Sequence, residues 1–161
     1  MRTAFAGLGI QSVGLLFLAT ISGSGPARET GLSDPEFVVV TELVNRHRER
    51  TGCQALVWDE QIAAVAAAHS RDMATRGYYD HVDPDGEGLQ HRLIRGGIGW
   101  NGIAGENLAI GTVDGGTVYV LWIDSPPHRA NIENCAFTHH GIGLEDGLWT
   151  HVFVQNPLGT P

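Results

Sequence analysis

Three residues stand out for their chemistry: His81, Glu106 and His128. Glu106 lies in Ala104-Gly105-Glu106-Asn107-Leu108-Ala109, a single carboxylate in an otherwise apolar run. Burying such a charge is costly unless it is paired or hydrogen-bonded. His81 sits in a turn, Asp80-His81-Val82-Asp83-Pro84-Asp85-Gly86, and His128 follows a proline pair in Ser125-Pro126-Pro127-His128. Both imidazoles are therefore presented from backbone that Pro and Gly fix in place. Two imidazoles and a carboxylate meeting at one point could hold a zinc ion with an open position and activate a bound water. The metal-free reading is equally available: Glu106 accepts hydrogen bonds from His81 or His128 and locks a cleft. No HExxH helix and no GxSxG elbow is present, and no general base or oxyanion stabiliser is identified.

The segments that position these residues follow from periodicity. Asp34-Pro35 opens a helix over 35 to about 50, with Phe37, Val40, Val44 and His47 on one face and Thr51-Gly52 as its end. Asp59 caps a second helix to about Arg76, and Gly77 stops it. Its apolar face carries Ile62, Val65, Ala66, His69 and Met73, so His69 is read as a core group. Asp80, Asp83 and Asp85 read as solvated turn residues, since the distal Glu of a calcium loop is absent. A short helix spans Leu89 to about Arg95, followed by glycine-rich coil to Gly105. Another helix runs from about Thr117 to Ser125, with Val118, Leu121, Trp122 and Ser125 on a shared face. Residues 138–155 alternate at period two around Glu145-Asp146-Gly147, a β-hairpin.

The chain has 161 residues, a formal net charge of −8 and a pI near 5.3, and all ten of its basic residues are arginine. That length suits one domain, and an acidic domain without basic clusters is a poor nucleic-acid or anionic-membrane binder. Residues 1–27 have the layout of a cleaved signal peptide: Arg2, an apolar stretch, then Ser22-Gly23-Ser24-Gly25-Pro26-Ala27. The alternative is an uncleaved N-terminal anchor. Cys53 and Cys135 are the only cysteines. In an oxidising compartment they form a disulfide closing a loop of about 80 residues, worth about 4–5 kcal/mol; two buried free thiols are the other reading.

Six segments taken in order resemble the CAP superfamily of cysteine-rich secretory, antigen 5 and pathogenesis-related proteins, in its short bacterial secreted branch. They are His69-Ser70-Arg71-Asp72-Met73-Ala74, the His81 turn, Gly105-Glu106-Asn107-Leu108-Ala109, Trp122 through His128-Arg129-Ala130-Asn131-Ile132, Gly141-Ile142-Gly143, and Val152-Phe153-Val154-Gln155. The resemblance covers about Phe37 to Asn156. It implies an α+β fold, a three-layer α-β-α sandwich with an antiparallel central sheet, over residues 37–157 after a linker at 28–36. It also implies a cleft holding His81, Glu106 and His128, with Zn2+ or another divalent cation as its ligand. Trp122, His69, Asn107 and Asn131 take structural places in that reading. The fourth cleft position, often Glu in the family, is Ser125 here, and Asp124 is turned about 100° away from it on a helix. The implied function is a secreted, monomeric binding module for a cation and an apolar, lipid-like or cell-envelope ligand, more a binder than an enzyme. A metal-dependent hydrolase of peptides or cell-wall material is the alternative.

Overall fold

The computed structural model describes residues 32–158. The signal-peptide and anchor readings for residues 1–27, and residues 28–31 of the 28–36 linker, lie outside them. Among the described residues no helix is long and apolar enough to cross a membrane.

The caps read from the sequence act as anticipated. Asp34 accepts from the Glu36 N–H at 2.9 Å and opens α1 (Pro35–Arg50). Asp59 accepts from Gln61 and Ile62 and opens α2 (Glu60–Arg76), which ends at Gly77 with φ 69°. The remaining helices are α3 (Leu89–Arg95), α4 (Gly115–Asp124) and α5 (Pro126–Ile132). Proline at the start of α5, which needs no N–H there, lets the chain turn and restart directly after α4.

The main sheet contains β1 (Val57–Trp58), β3 (Ala104–Ile110), β4 (His139–Glu145) and β5 (Leu148–Val154), in the order β1-β4-β5-β3. A two-stranded ribbon pairs β2 (Gly99–Trp100) with β6 (Pro157–Leu158). The hairpin β4–β5 is antiparallel with Gly141 opposite Val152, and Glu106 of β3 faces Val152 from the other side. The sheet is mixed rather than wholly antiparallel, because β1 joins β4 in parallel. Two residues of a linking segment are too few for a periodicity signal, so this strand was not legible in the sequence.

All seven residues of β5 are buried, so its alternation separates two covered faces rather than a wet one from a dry one. Val152 and Val154 pack with Ile62, Val65, Ala66 and Leu93 of α2 and α3. Trp149 and Phe153 pack on the opposite face with Phe37, Val40 and Val44 of α1 and Val118 and Trp122 of α4. These are the three layers. On α4, Val118 and Trp122 are buried but Leu121 is 45% exposed, so the apolar face is narrower than its sequence suggested. A Cβ at Gly141 or Gly143 would strike the backbone of Ala63 or Ala67, so α2 lies directly on the main chain of β4.

Cys53 and Cys135 are bonded. Beside the bridge, the fully buried Arg48 donates to four carbonyls: Gln54, Ile132, Asn134 and Phe137. The cation is thus held by peptide dipoles, and burial lowers its pKa from the ordinary arginine value.

Two further histidines, His140 and His151, are fully buried and hydrogen-bonded to each other at 2.9 Å between Nδ1 and Nε2. Desolvation depresses both, His140 to about 3 and His151 well below its usual value. They fold neutral, whereas the unfolded chain protonates them below about pH 6.5. Stability is therefore complete above that pH and declines as pH falls toward the folded values. Each pH unit removes about 1.4 kcal/mol per histidine. Thermal melts across a pH series should show a steep fall between pH 6.5 and 4.5, and His140→Leu/His151→Leu should flatten it. An unchanged slope in that variant would assign acid sensitivity elsewhere.

Candidate functional site

Glu106 is buried on edge strand β3 and has two partners: His81, which the sequence reading anticipated, and Arg92, which it missed. Arg92 Nη2 reaches Glu106 Oε2 at 2.9 Å and Oε1 at 3.1 Å, with the two side chains 5% and 4% exposed. The same guanidinium donates to the carbonyls of Glu87 and His81, both at 3.1 Å. A signal existed: Leu89, Arg92 and Leu93 share one face of a helix at i, i+3, i+4, which places Arg92 with the buried side of α3.

His81 Nδ1 lies 2.8 Å from Glu106 Oε1, and its side chain is 55% exposed. The carboxylate accepts the Nδ1 proton, so Nε2 is the ring nitrogen left for solvent or ligand. The hydrogen bond to Glu106 raises the His81 pKa above its ordinary value. His69 supports this loop from beneath. It is 2% exposed, and its Nε2 donates to the carbonyl of Asp80 at 3.1 Å, so the core role expected of it is also a positioning one. Asp83 is not the solvated turn residue anticipated. It is 9% exposed and its Oδ1 accepts the N–H groups of Asp85 and Glu87.

On the other side of β3, α4 and α5 cover the sheet edge. Trp122 Nε1 donates to the Leu108 carbonyl at 3.0 Å, and Asn131 Nδ2 donates to the Glu106 carbonyl at 3.2 Å. These are outward carbonyls two residues apart that an edge strand leaves without a strand partner. Asn131 also donates to Asn107 Oδ1, and Asn107 Nδ2 donates to the carbonyl of His128. Trp122, Asn107 and Asn131 thus tie α4 and α5 to β3, and the two asparagines fix the backbone of His128. Gly105 is required here, since a Cβ would crowd the Phe137 ring and Asn131 Oδ1.

His128 is half-buried and its pKa is lowered, by desolvation and then by the nearby His81. The opposite shifts separate the roles of the two imidazoles. His81 is shifted toward its charged, donating form by Glu106, and His128 toward its neutral form, which keeps an acceptor nitrogen.

The fourth position contributes little. Asp124 is exposed at the end of α4 and Ser125 is half-buried at the α4–α5 junction. Neither hydrogen-bonds or ion-pairs with His81, Glu106 or His128. Among the described residues no group of three or more His, Cys, Asp or Glu side chains is placed to hold a metal ion. The physical reason is Arg92: both oxygens of Glu106 already accept from it, and one also accepts from His81. The three-ligand zinc set does not fit this arrangement. Glu106 serves as the partner of an imidazole rather than as a ligand.

The sequence from residue 41 to 156 matches the cysteine-rich secretory protein (CAP) family. The chain belongs to that family. Over 116 residues the CAP domain is 34% identical to the uncharacterized membrane protein YlbC of Bacillus subtilis, covering 72% of this chain and 33% of that protein. It is 38% identical over 117 residues to the uncharacterized protein YkwD of the same organism, covering 71% of this chain and 45% of that one. Among solved structures it is similar to an extracellular protein containing a SCP domain from Bacillus anthracis. That match has a TM-score of 0.70 and 38% identity, over 73% of this chain and 39% of that chain. The CAP chain therefore spans less than half the length of these relatives.

Proposed function

We propose that this CAP domain is an extracellular binding module whose recognition site is the cleft at His81 and His128, taking an apolar or cell-envelope ligand. One observation carries the reading: a rigid, half-exposed imidazole is held by a buried ion pair. Burying Glu106 with Arg92 is costly, and here it fixes one ring with its Nε2 facing outward. The extracellular assignment is supported by the disulfide, which persists in oxidising compartments, and by the extracellular relative. A divalent cation would have only the two imidazoles as direct protein ligands, so its binding would be weak. The alternative, a metal-dependent hydrolase of peptides or cell-wall material, would need a cation held firmly enough to activate water; two imidazoles alone support that less well, so binding is the better-supported reading.

The test follows the imidazole NMR signals of His81 and His128 during titration with soluble muropeptides, short-chain lipids and zinc. A muropeptide or lipid should move both signals, and His81→Ala/His128→Ala should abolish binding. If no member of the panel moves either imidazole, the binding-module reading fails. Turnover of a muropeptide that disappears in His81→Ala would replace it with the hydrolase.

A further inference from the structure

Arg92 has a second exposure to chemistry, away from the imidazoles. Between α2 and the 83–96 segment lies a half-open groove of about 550 Å³ that Arg92 lines, a volume in the range of small-ligand sites. The imidazoles of His81 and His128 do not line it. Its floor is apolar, made by Ala64, Val65 and Ala68 of α2, and Ala64 and Ala68 are exposed there. Its rim carries four carboxylates, Asp72, Asp83, Asp85 and Glu87. Only two guanidiniums on the rim, Arg76 and Arg95, are available to balance them, because Arg92 is committed to Glu106.

Those two are weakly held. Arg76 bridges Asp85 at 2.7 Å and Asp72 at 3.5 Å, where the side chains are 34%, 70% and 34% exposed, and Arg95 pairs with Glu87 at 60% and 37%. Exposed pairs of this kind contribute little and exchange readily. Asp83 is fixed by backbone N–H groups, led by that of Glu87, which keep its carboxyl below the usual range. The chain as a whole carries −8, so a cation is drawn toward the groove. A separate observation concerns Arg92 itself. It is 5% exposed, and its Nε–H is buried without a partner, a position that costs free energy until an acceptor is supplied.

We propose that this groove binds a basic residue of a peptide. The alkyl stem of a lysine or arginine lies on the alanine floor, its cationic head sits among the rim carboxylates, and a peptide carbonyl enters beside Arg92 to meet the orphaned N–H. A binding step of this form makes no covalent change.

The experiment is a 1H–15N NMR titration of the full chain with N-acetyl-lysine methylamide, N-acetyl-norleucine methylamide and n-butylammonium. The lysine derivative should shift the amides of Ala64, Ala68 and Gly96 and the Arg92 Nε–H. It should bind at least about tenfold more tightly than the uncharged norleucine analogue, a difference of about 1.4 kcal/mol. Ala68→Trp, which fills the groove from an exposed position, should remove the shifts while leaving the rest of the spectrum in place. Equal binding of the norleucine analogue, shifts that persist in Ala68→Trp, or no shifts up to about 10 mM would each overturn the proposal. Butylammonium binding as tightly as the lysine derivative would overturn the peptide assignment and point to free amines.

Discussion

Arg92→Ala should destabilise the domain by about 3–5 kcal/mol, because it strands Glu106 as an uncompensated buried charge. In thermal terms that is a fall of roughly 10 °C or more. The same substitution has a signature that loss of packing alone would not produce. Arg92 opposes protonation of His81 through its charge, so its removal should raise the His81 pKa, while Glu106→Gln should lower it toward the ordinary value. Replacing both members, as in Arg92→Leu/Glu106→Leu, should recover much of the lost stability, since no charge is then left buried. Measurement requires denaturant unfolding and an NMR pH titration of His81 in the three variants. An Arg92→Ala protein within about 1 kcal/mol of wild type would show that Glu106 is reached by water.

Reduction of Cys53–Cys135 is expected to cost about 4.5 kcal/mol, the chain-entropy value for a separation of 82 residues. The reduced protein should nonetheless keep its native near-ultraviolet circular dichroism in the absence of denaturant. Arg48 already ties the same two stretches together through Gln54 on one side and Ile132, Asn134 and Phe137 on the other. Reduction in an Arg48→Ala background removes both ties, and there the native signal should be lost. A reduced wild-type protein that unfolds without denaturant would mean the hydrogen-bonded clasp does not hold on its own.

Much of this arrangement could be read from local sequence. Asp34, Asp59 and Gly77 mark helix ends through hydrogen bonds made within a few residues, so their effect is visible without the fold. The hairpin β4–β5 is likewise local. Most of what escaped was set by distance in the chain. β1 exists only because β4 lies beside it, and β3 is a strand because β5 pairs with it, despite the glycines that precede it. The partner of Glu106 was sought among histidines because histidines suggest metal chemistry. His81 is indeed one partner, but the second, Arg92, is a buried arginine nearer in sequence that escaped because its residue type, not its distance, would place it in solvent. The narrower face of α4 escaped through distance, as β1 and β3 did. Which side of Leu121 is covered depends on α1 and on β3, not on α4.

The glycines of β4 have a consequence for how the molecule can respond to a ligand. Because Gly141 and Gly143 let α2 rest on the strand's own backbone, that helix meets main chain rather than side chains over β4 and has little room to be pressed inward there. It is an anvil. The alanine floor of the groove is part of α2, so an incoming stem cannot make room by pressing it inward. Accommodation must come from the opposing wall, residues 83–96, whose contacts with α2 include the exposed ion pair between Arg76 and Asp85. That wall also carries Arg92, the residue that pins Glu106. A guest that moves it would therefore tug on the support of His81, so the groove and the His81 imidazole share one adjustable part.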